Sequence, residues 1–258
     1  STNLDYRHII VIYYSMIEAL NRCMPKIICV SGDSFTQEYL QKPEDRWSTH
    51  IGATHNIAMG GAGNDRIFNS TLKFLNKTTP DVLIVGWSST ARGSLYHTNG
   101  ARVIVAPHRC FNEETGEDYD NMKKFYYSNL HNDYVNFTNV LNYMIFLQEY
   151  CKTKKIKLFY FRSIMNEKLD RESLMKVSES AFMNKSDPDM HKQGIIYNCN
   201  LLLKLIEKLD KNIWINEFWY SMREHIDKKF PNQIMPGYTH ALPKEAVKNW
   251  GELVKKHL

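Results

Sequence analysis

At 258 residues with 43% apolar content, the chain is long enough to bury a substantial core without disulfide staples, and we read it as one domain spanning 1–258. The formal charge of +5 comes from 33 basic and 28 acidic residues mixed along the chain with no Lys/Arg block, so a nucleic-acid partner is not indicated. Cys23, Cys29, Cys110, Cys151 and Cys199 are odd in number and widely spaced, with no CxxC pair, which reads as reduced thiols and argues against a disulfide framework or a zinc site.

In chain order, the run "HIIVIYYSMIEAL" is too short to span a membrane and carries Glu18 at helical spacing; it predicts a docked helix, so that 1–23 forms a helical extension, with no membrane partner. Five short apolar runs follow, at 26–32, 55–61, 81–87, 101–107 and 156–161. Each is continuous rather than alternating, the pattern of strands covered on both faces. The architecture expected is therefore a doubly wound three-layer α/β sandwich around a five-stranded parallel sheet. Helices are expected over 63–76, 119–153, 196–209, 212–228 and 243–257, the last opening at Pro243 and placing Ala246, Val247, Trp250 and Val254 on one face. The segment 162–195, of mixed polarity, reads as an excursion from the sheet that walls a cleft.

"KIICVSGDSF" carries the first chemical question. Ligands of a doubly wound sheet sit outside the carboxyl ends of its strands, and Ser34 follows the first strand at that edge. A hydroxyl there, at a helix entry, suits a nucleophile whose attack creates an oxyanion; the plain alternative is that Ser34 caps the helix. Downstream, "HNIAMGGAGNDRI" ends its strand near Asn56 and reaches Gly61, where a missing side chain lets a backbone N–H approach a bound oxygen. His240 stands just ahead of the last helix.

Other residues have competing readings. "GWSST" lacks the second glycine of a nucleophile elbow because Thr90 occupies it, so Ser88 reads as pocket lining. Arg92 suits an anionic or hydroxyl-rich substrate or a structural ion pair, and Asn64 and Asp65 suit the site or the cap of the next helix. The aromatic stretch 124–146 reads as core packing before sugar platform. His50, His55, His97, His108 and His191 make no metal-ligand pattern, so neither a metal nor a cofactor is expected.

Taken together, a strand ending in GDS, an Asn-to-Gly turn after the next strand and a histidine before the final helix resemble the SGNH (GDSL-type) hydrolase superfamily over about residues 25 to 257. "GGAGNDRIF", "GWSSTAR" and "AVKNWGEL" are most similar to a subset encoded by phages and other viruses. The resemblance implies a flavodoxin-like strand order 2-1-3-4-5, a nucleophile at Ser34, a base at His240, and oxyanion donors at the N–H groups of Ser34 and Gly61. Two positions depart from the family pattern. Ser88 fills the slot of the usual oxyanion-binding Asn, offering a shorter hydroxyl donor, and Gly237 stands where an Asp usually orients the histidine. Asp33, Asn64, Trp87 and Arg92 are expected to contact substrate. The implied activity is a serine esterase, with an O-acetylated carbohydrate as substrate; acyl transfer by the same Ser34–His240 dyad, and a catalytically weak fold kept as a binding module, remain open. A cytoplasmic location is expected, or association with a virion if the source is viral.

Overall fold

The computed structural model describes residues 11, 26–37, 41–96, 102–107, 109–112, 114–163, 168–181, 188–231 and 242–258. Nearly all of the expected 1–23 extension lies outside them, as do His97, His108, Gly237 and His240. In chain order the described strands are β1 (Ile28–Ser31), β2 (His55–Asn56), β3 (Val82–Trp87), β4 (Gly93–Tyr96), β5 (Arg102–Ala106), β6 (Arg109–Asn112) and β7 (Lys157–Arg162). The described helices are α1 (Ser34–Gln37), α2 (Trp47–His50), α3 (Asn64–Leu75), α4 (Asp120–Asn129), α5 (Asp133–Lys154), α6 (Arg171–Glu179), α7 (Pro188–Glu207), α8 (Met222–Lys229) and α9 (Lys244–Lys255).

β1, β2, β3 and β7 form a parallel sheet in the order β2-β1-β3-β7. Every residue of β1 and β3 is buried, because helices cover both faces. Successive strand residues alternate between the two layers. Cys29, Leu83, Val85, Leu158 and Tyr160 meet Ile67 of α3, Leu141 and Met144 of α5 and Leu202 of α7. Ile28, Val30, Val82, Ile84, Phe159 and Phe161 meet Trp47 of α2, Ile226 of α8 and Trp250 of α9. Full burial of each such Ile, Leu or Phe stabilises the fold by roughly 1.5–3 kcal/mol. The doubly wound α/β architecture is thus present.

The expected five-stranded count is corrected. Among the described residues the parallel sheet has four strands, and the 101–107 run supplies β5 at the centre of a separate antiparallel sheet, β4-β5-β6. The cause lies in the connection: parallel neighbours need a crossover of a dozen residues or more, usually a helix, whereas β3 leads through a short loop straight into β4. β5 still reads as a continuous apolar run because all five of its residues are buried. The position beyond β7 is taken by residues 214–221, which touch it through isolated parallel bridges, Tyr160 to Trp214 and Arg162 to Ser221.

Three expected helices also change. The 196–209 helix begins earlier, as α7 at Pro188. The 119–153 helix is two, α4 and α5, divided at 130–132, where the Asn132 side chain accepts from Val135 N and starts the second. The 212–228 helix is confined to α8, started by the Ser221 side chain accepting from Glu224 N.

Candidate active site

β1 delivers the chain through Gly32 to Asp33 and Ser34 at the carboxyl edge of the sheet. Asp33 starts the helical turn: its carbonyl oxygen accepts from Thr36 N at 3.0 Å and Gln37 N at 2.8 Å, and its Oδ1 accepts from Phe35 N at 3.1 Å. Ser34 is thereby relieved of capping. Its side chain is buried, and its Oγ has no hydrogen-bond partner among the described residues. A buried polar group without a partner costs about 1–3 kcal/mol, and native proteins keep few of them. Close approach of this turn to β3 depends on Gly86, where a Cβ would lie 2.6 Å from Thr36 Oγ1 and 2.5 Å from Phe161 Cζ.

The segment after β2 is tied to the same turn. Asn56 donates through Nδ2 to Thr36 O at 2.9 Å and to Ser48 Oγ at 3.2 Å, while its Oδ1 accepts from Ala58 N. Gln37 Oε1 accepts from Gly60 N at 2.6 Å. Gly61 then adopts φ +74°, which side chains of L-residues rarely tolerate. A Cβ there would stand 3.2 Å from both Ile104 Cγ2 and Phe111 Cζ. The antiparallel sheet therefore forms an apolar wall against this glycine, which sequence reasoning missed because nothing local in "RVIVA" or "RCFN" points to residue 61.

The third loop is held from below. Asp33 Oδ2 accepts from Ser88 Oγ at 2.8 Å and from Arg92 Nη1 at 3.1 Å, and Arg92 Nη1 also reaches Ser88 Oγ at 3.2 Å. The Asp33–Arg92 ion pair is almost wholly buried. Asn64 uses its whole amide on the same loop, Oδ1 accepting from Ser88 N at 2.8 Å and Nδ2 donating to Ser88 O at 3.0 Å. Asn64 does not cap α3, whose N-cap is Gly63. Asn64 and Arg92 border a polar cavity of about 170 Å³ with Thr90, Tyr126 and Asn136, and Ser34 is not part of its wall. The expectation that Trp87 contacts substrate is corrected: it is fully buried and packs edge-on against Tyr160 at 5.7 Å.

His240, the expected base, lies outside the described residues. The described chain resumes at Leu242, whose carbonyl accepts from Gln41 Nε2 at 2.9 Å, and Lys244 Nζ meets Asp45 Oδ2 at 2.6 Å. Leu242 thus lies beside the segment that follows the Ser34 turn.

No family model and no curated protein matches the chain. Its structural neighbours include G-D-S-L-type proteins. One is described as a lipolytic protein of that family from Desulfitobacterium hafniense DCB-2, at 9% identity over 91% of this chain and 100% of that one, TM-score 0.45. Another is the acetyl xylan esterase AlAXEase, at 12% identity over 90% and 98%, TM-score 0.44. A third is a GDSL-like lipase from Bacteroides thetaiotaomicron VPI-5482, at 11% identity over 94% and 95%, TM-score 0.40.

Proposed function

We propose that this chain is a serine ester hydrolase of the SGNH type that forms an acyl-enzyme on Ser34. The observation that carries the reading is the Ser34 hydroxyl, buried at the carboxyl edge of the sheet, spared from capping by Asp33 and bonded to no described residue. In this reading His240 takes the Oγ proton as Oγ attacks the ester carbonyl, then passes it to the departing alcohol; water, activated the same way, releases the acid and frees Ser34. The N–H groups of Ser34 and Gly61 stabilise the tetrahedral oxyanion. Ser88 keeps its hydroxyl on Asp33, so it steadies the site instead of serving as a third donor. The wall of Ile104 and Phe111 against Gly61 favours a short acyl group, in keeping with an O-acetyl ester, and a carbohydrate alcohol is the substrate we favour. Transfer of the acyl group to an acceptor hydroxyl uses the same dyad.

The test is labelling with a fluorophosphonate followed by peptide mapping. Modification at Ser34, with p-nitrophenyl acetate turnover abolished in Ser34→Ala and lowered by several orders of magnitude in His240→Ala, is the expected result. A second reading, a catalytically weak fold kept as a binding module, is favoured by the engagement of Ser88 away from the oxyanion; unlabelled protein with no Ser34-dependent turnover would select it.

A further inference from the structure

A cavity of about 690 Å³ opens at the end of β7, and its wall includes Arg162, Glu217, Phe218, Trp219, Tyr220 and Glu224. Its size is that of a small-ligand site. The backbone beside it is unusual. From Tyr160 to Arg162 β7 advances two positions, while its bridge partners advance from Trp214 to Ser221, so most of the intervening residues are extruded as a loop. That loop holds two non-glycine residues in the left-handed region, Asn216 at φ +69° and Trp219 at φ +68°. For a bulky residue such a conformation is a genuine outlier, and outliers of this kind cluster at ligand sites. Both ends of the loop are pinned to β7, Ile215 N donating to Tyr160 O at 2.9 Å and Arg162 N to Tyr220 O at 3.1 Å. The Trp219 ring is steadied by the Arg162 guanidinium 4.8 Å from its centre and by Trp214 at 5.2 Å.

We infer that this cavity is a binding subsite for a neutral sugar ring of an oligosaccharide. Phe218 and Trp219, both half-buried, line the cavity and offer apolar surface to the C–H face of a pyranose, although Lys211 and Arg162 each lie over one of these rings. The Glu217 carboxylate matches the sugar's hydroxyl donors, while Glu224 is shared with Lys228. Glu217 is exposed and has no ion-pair or hydrogen-bond partner for its carboxylate among the described residues. Leu169 and Ile206 also line the wall, so an aliphatic chain is the competing ligand that the experiment has to separate from a sugar. An anion fits poorly, because Asp170, Glu217 and Glu224 outnumber Arg162 and Lys168. The cavity lies beyond β7, and β7 is two strand spacings from β1, about 10 Å, at the same carboxyl edge as Ser34. A chain of sugars, not a single one, spans that separation. The inference rests on the esterase reading only for the link to Ser34; the binding itself needs no turnover.

The experiment measures binding of three neutral trisaccharides, xylotriose, cellotriose and chitotriose, to the Ser34→Ala protein by tryptophan fluorescence and saturation-transfer NMR, with octanoate as the apolar control. At least one trisaccharide binds, and Trp219→Phe in the same background weakens it by roughly tenfold, the scale of a lost aromatic contact. Because Trp219 also packs in the interior, Glu217→Ala, on the exposed loop, gives an independent reading: a several-fold loss. No trisaccharide binding at 10 mM on the order used for weak ligands, binding untouched by both substitutions, or octanoate binding in the sugars' place would overturn the assignment. Sugar binding in a protein whose wild type hydrolyses no ester keeps this subsite and removes the esterase reading; Ser34-dependent hydrolysis without sugar binding does the reverse.

Discussion

Asp33 occupies three roles at once: its carbonyl and Oδ1 start the turn that holds Ser34, and its Oδ2 receives both Ser88 and Arg92. Breaking a buried ion pair by removing one partner leaves the other charge uncompensated, at a cost of about 3–5 kcal/mol. Arg92→Met is therefore expected to lower unfolding free energy by that order in urea titrations, and Arg92→Lys to recover only part of it, because an ammonium cannot reproduce the guanidinium fork. A loss below about 1 kcal/mol, the usual worth of an exposed pair, would show that Asp33 is not held by Arg92. The ion pair was one of two readings open from sequence. The Asn64 clamp was not legible, since its partner Ser88 lies far along the chain and only the fold brings the amide and the loop together.

At the level of elements, the antiparallel β4-β5-β6 sheet departs most from the sequence reading, and it also touches the proposed oxyanion glycine. Phe111 is partly exposed, with the Arg109 guanidinium 4.5 Å above its ring, so Phe111→Ala leaves the core of that sheet in place while opening space beside Gly61. The expected outcome is a rise in kcat/KM for p-nitrophenyl butyrate and hexanoate relative to the acetate; an unchanged ratio would place the acyl group elsewhere. Gly61→Ala, forced into the left-handed region and against Ile104 Cγ2, should fold but lose on the order of 10–1,000-fold in turnover if that N–H is a donor. Four of the five apolar runs were legible as parallel strands; in β1, β3 and β7 burial on both faces leaves little alternation to read, whereas β2 is a two-residue exposed strand at the sheet edge. β5 gave the same signal from a different sheet, and periodicity alone does not say which strand a run pairs with. The 215–220 loop was hidden for a related reason: Ile213, Trp214, Phe218 and Trp219 recur at helical spacing, yet they are placed by their contacts with β7 and with one another.

Across the whole molecule, one face of the sheet is closed by α8 and α9, and a buried histidine joins them. His225 Nε2 pairs with Asn249 Oδ1 at 2.8 Å, its Nδ1 lies 3.4 Å from Tyr220 Oη, and its ring meets Trp250 at 5.5 Å. Burial is the main cause that pulls its pKa below the ordinary 6.5; Lys229 and Lys228 act in the same direction, and the Asn249 contact opposes them. His257, at the end of α9, is lowered likewise by burial and by Lys157. A histidine that titrates lower in the folded state than in the unfolded state binds fewer protons when native, so protonation favours unfolding. Its contribution is complete above about pH 6.5 and is lost as the pH falls through the depressed folded value. The Asp133 carboxyl, lowered chiefly by its hydrogen bond with His131, adds an acid loss of the same sign in the carboxylate range, below the histidine window. Thermal melts followed by circular dichroism should therefore show a Tm that is flat above neutrality, declines just below pH 6.5 and declines again near the carboxylate range. His225→Gln should remove part of the first decline and leave the second. If the first decline were unchanged in His225→Gln, the packing of α8 on α9 would not be coupled to this titration, and His257 would be the other lowered histidine among the described residues to test next.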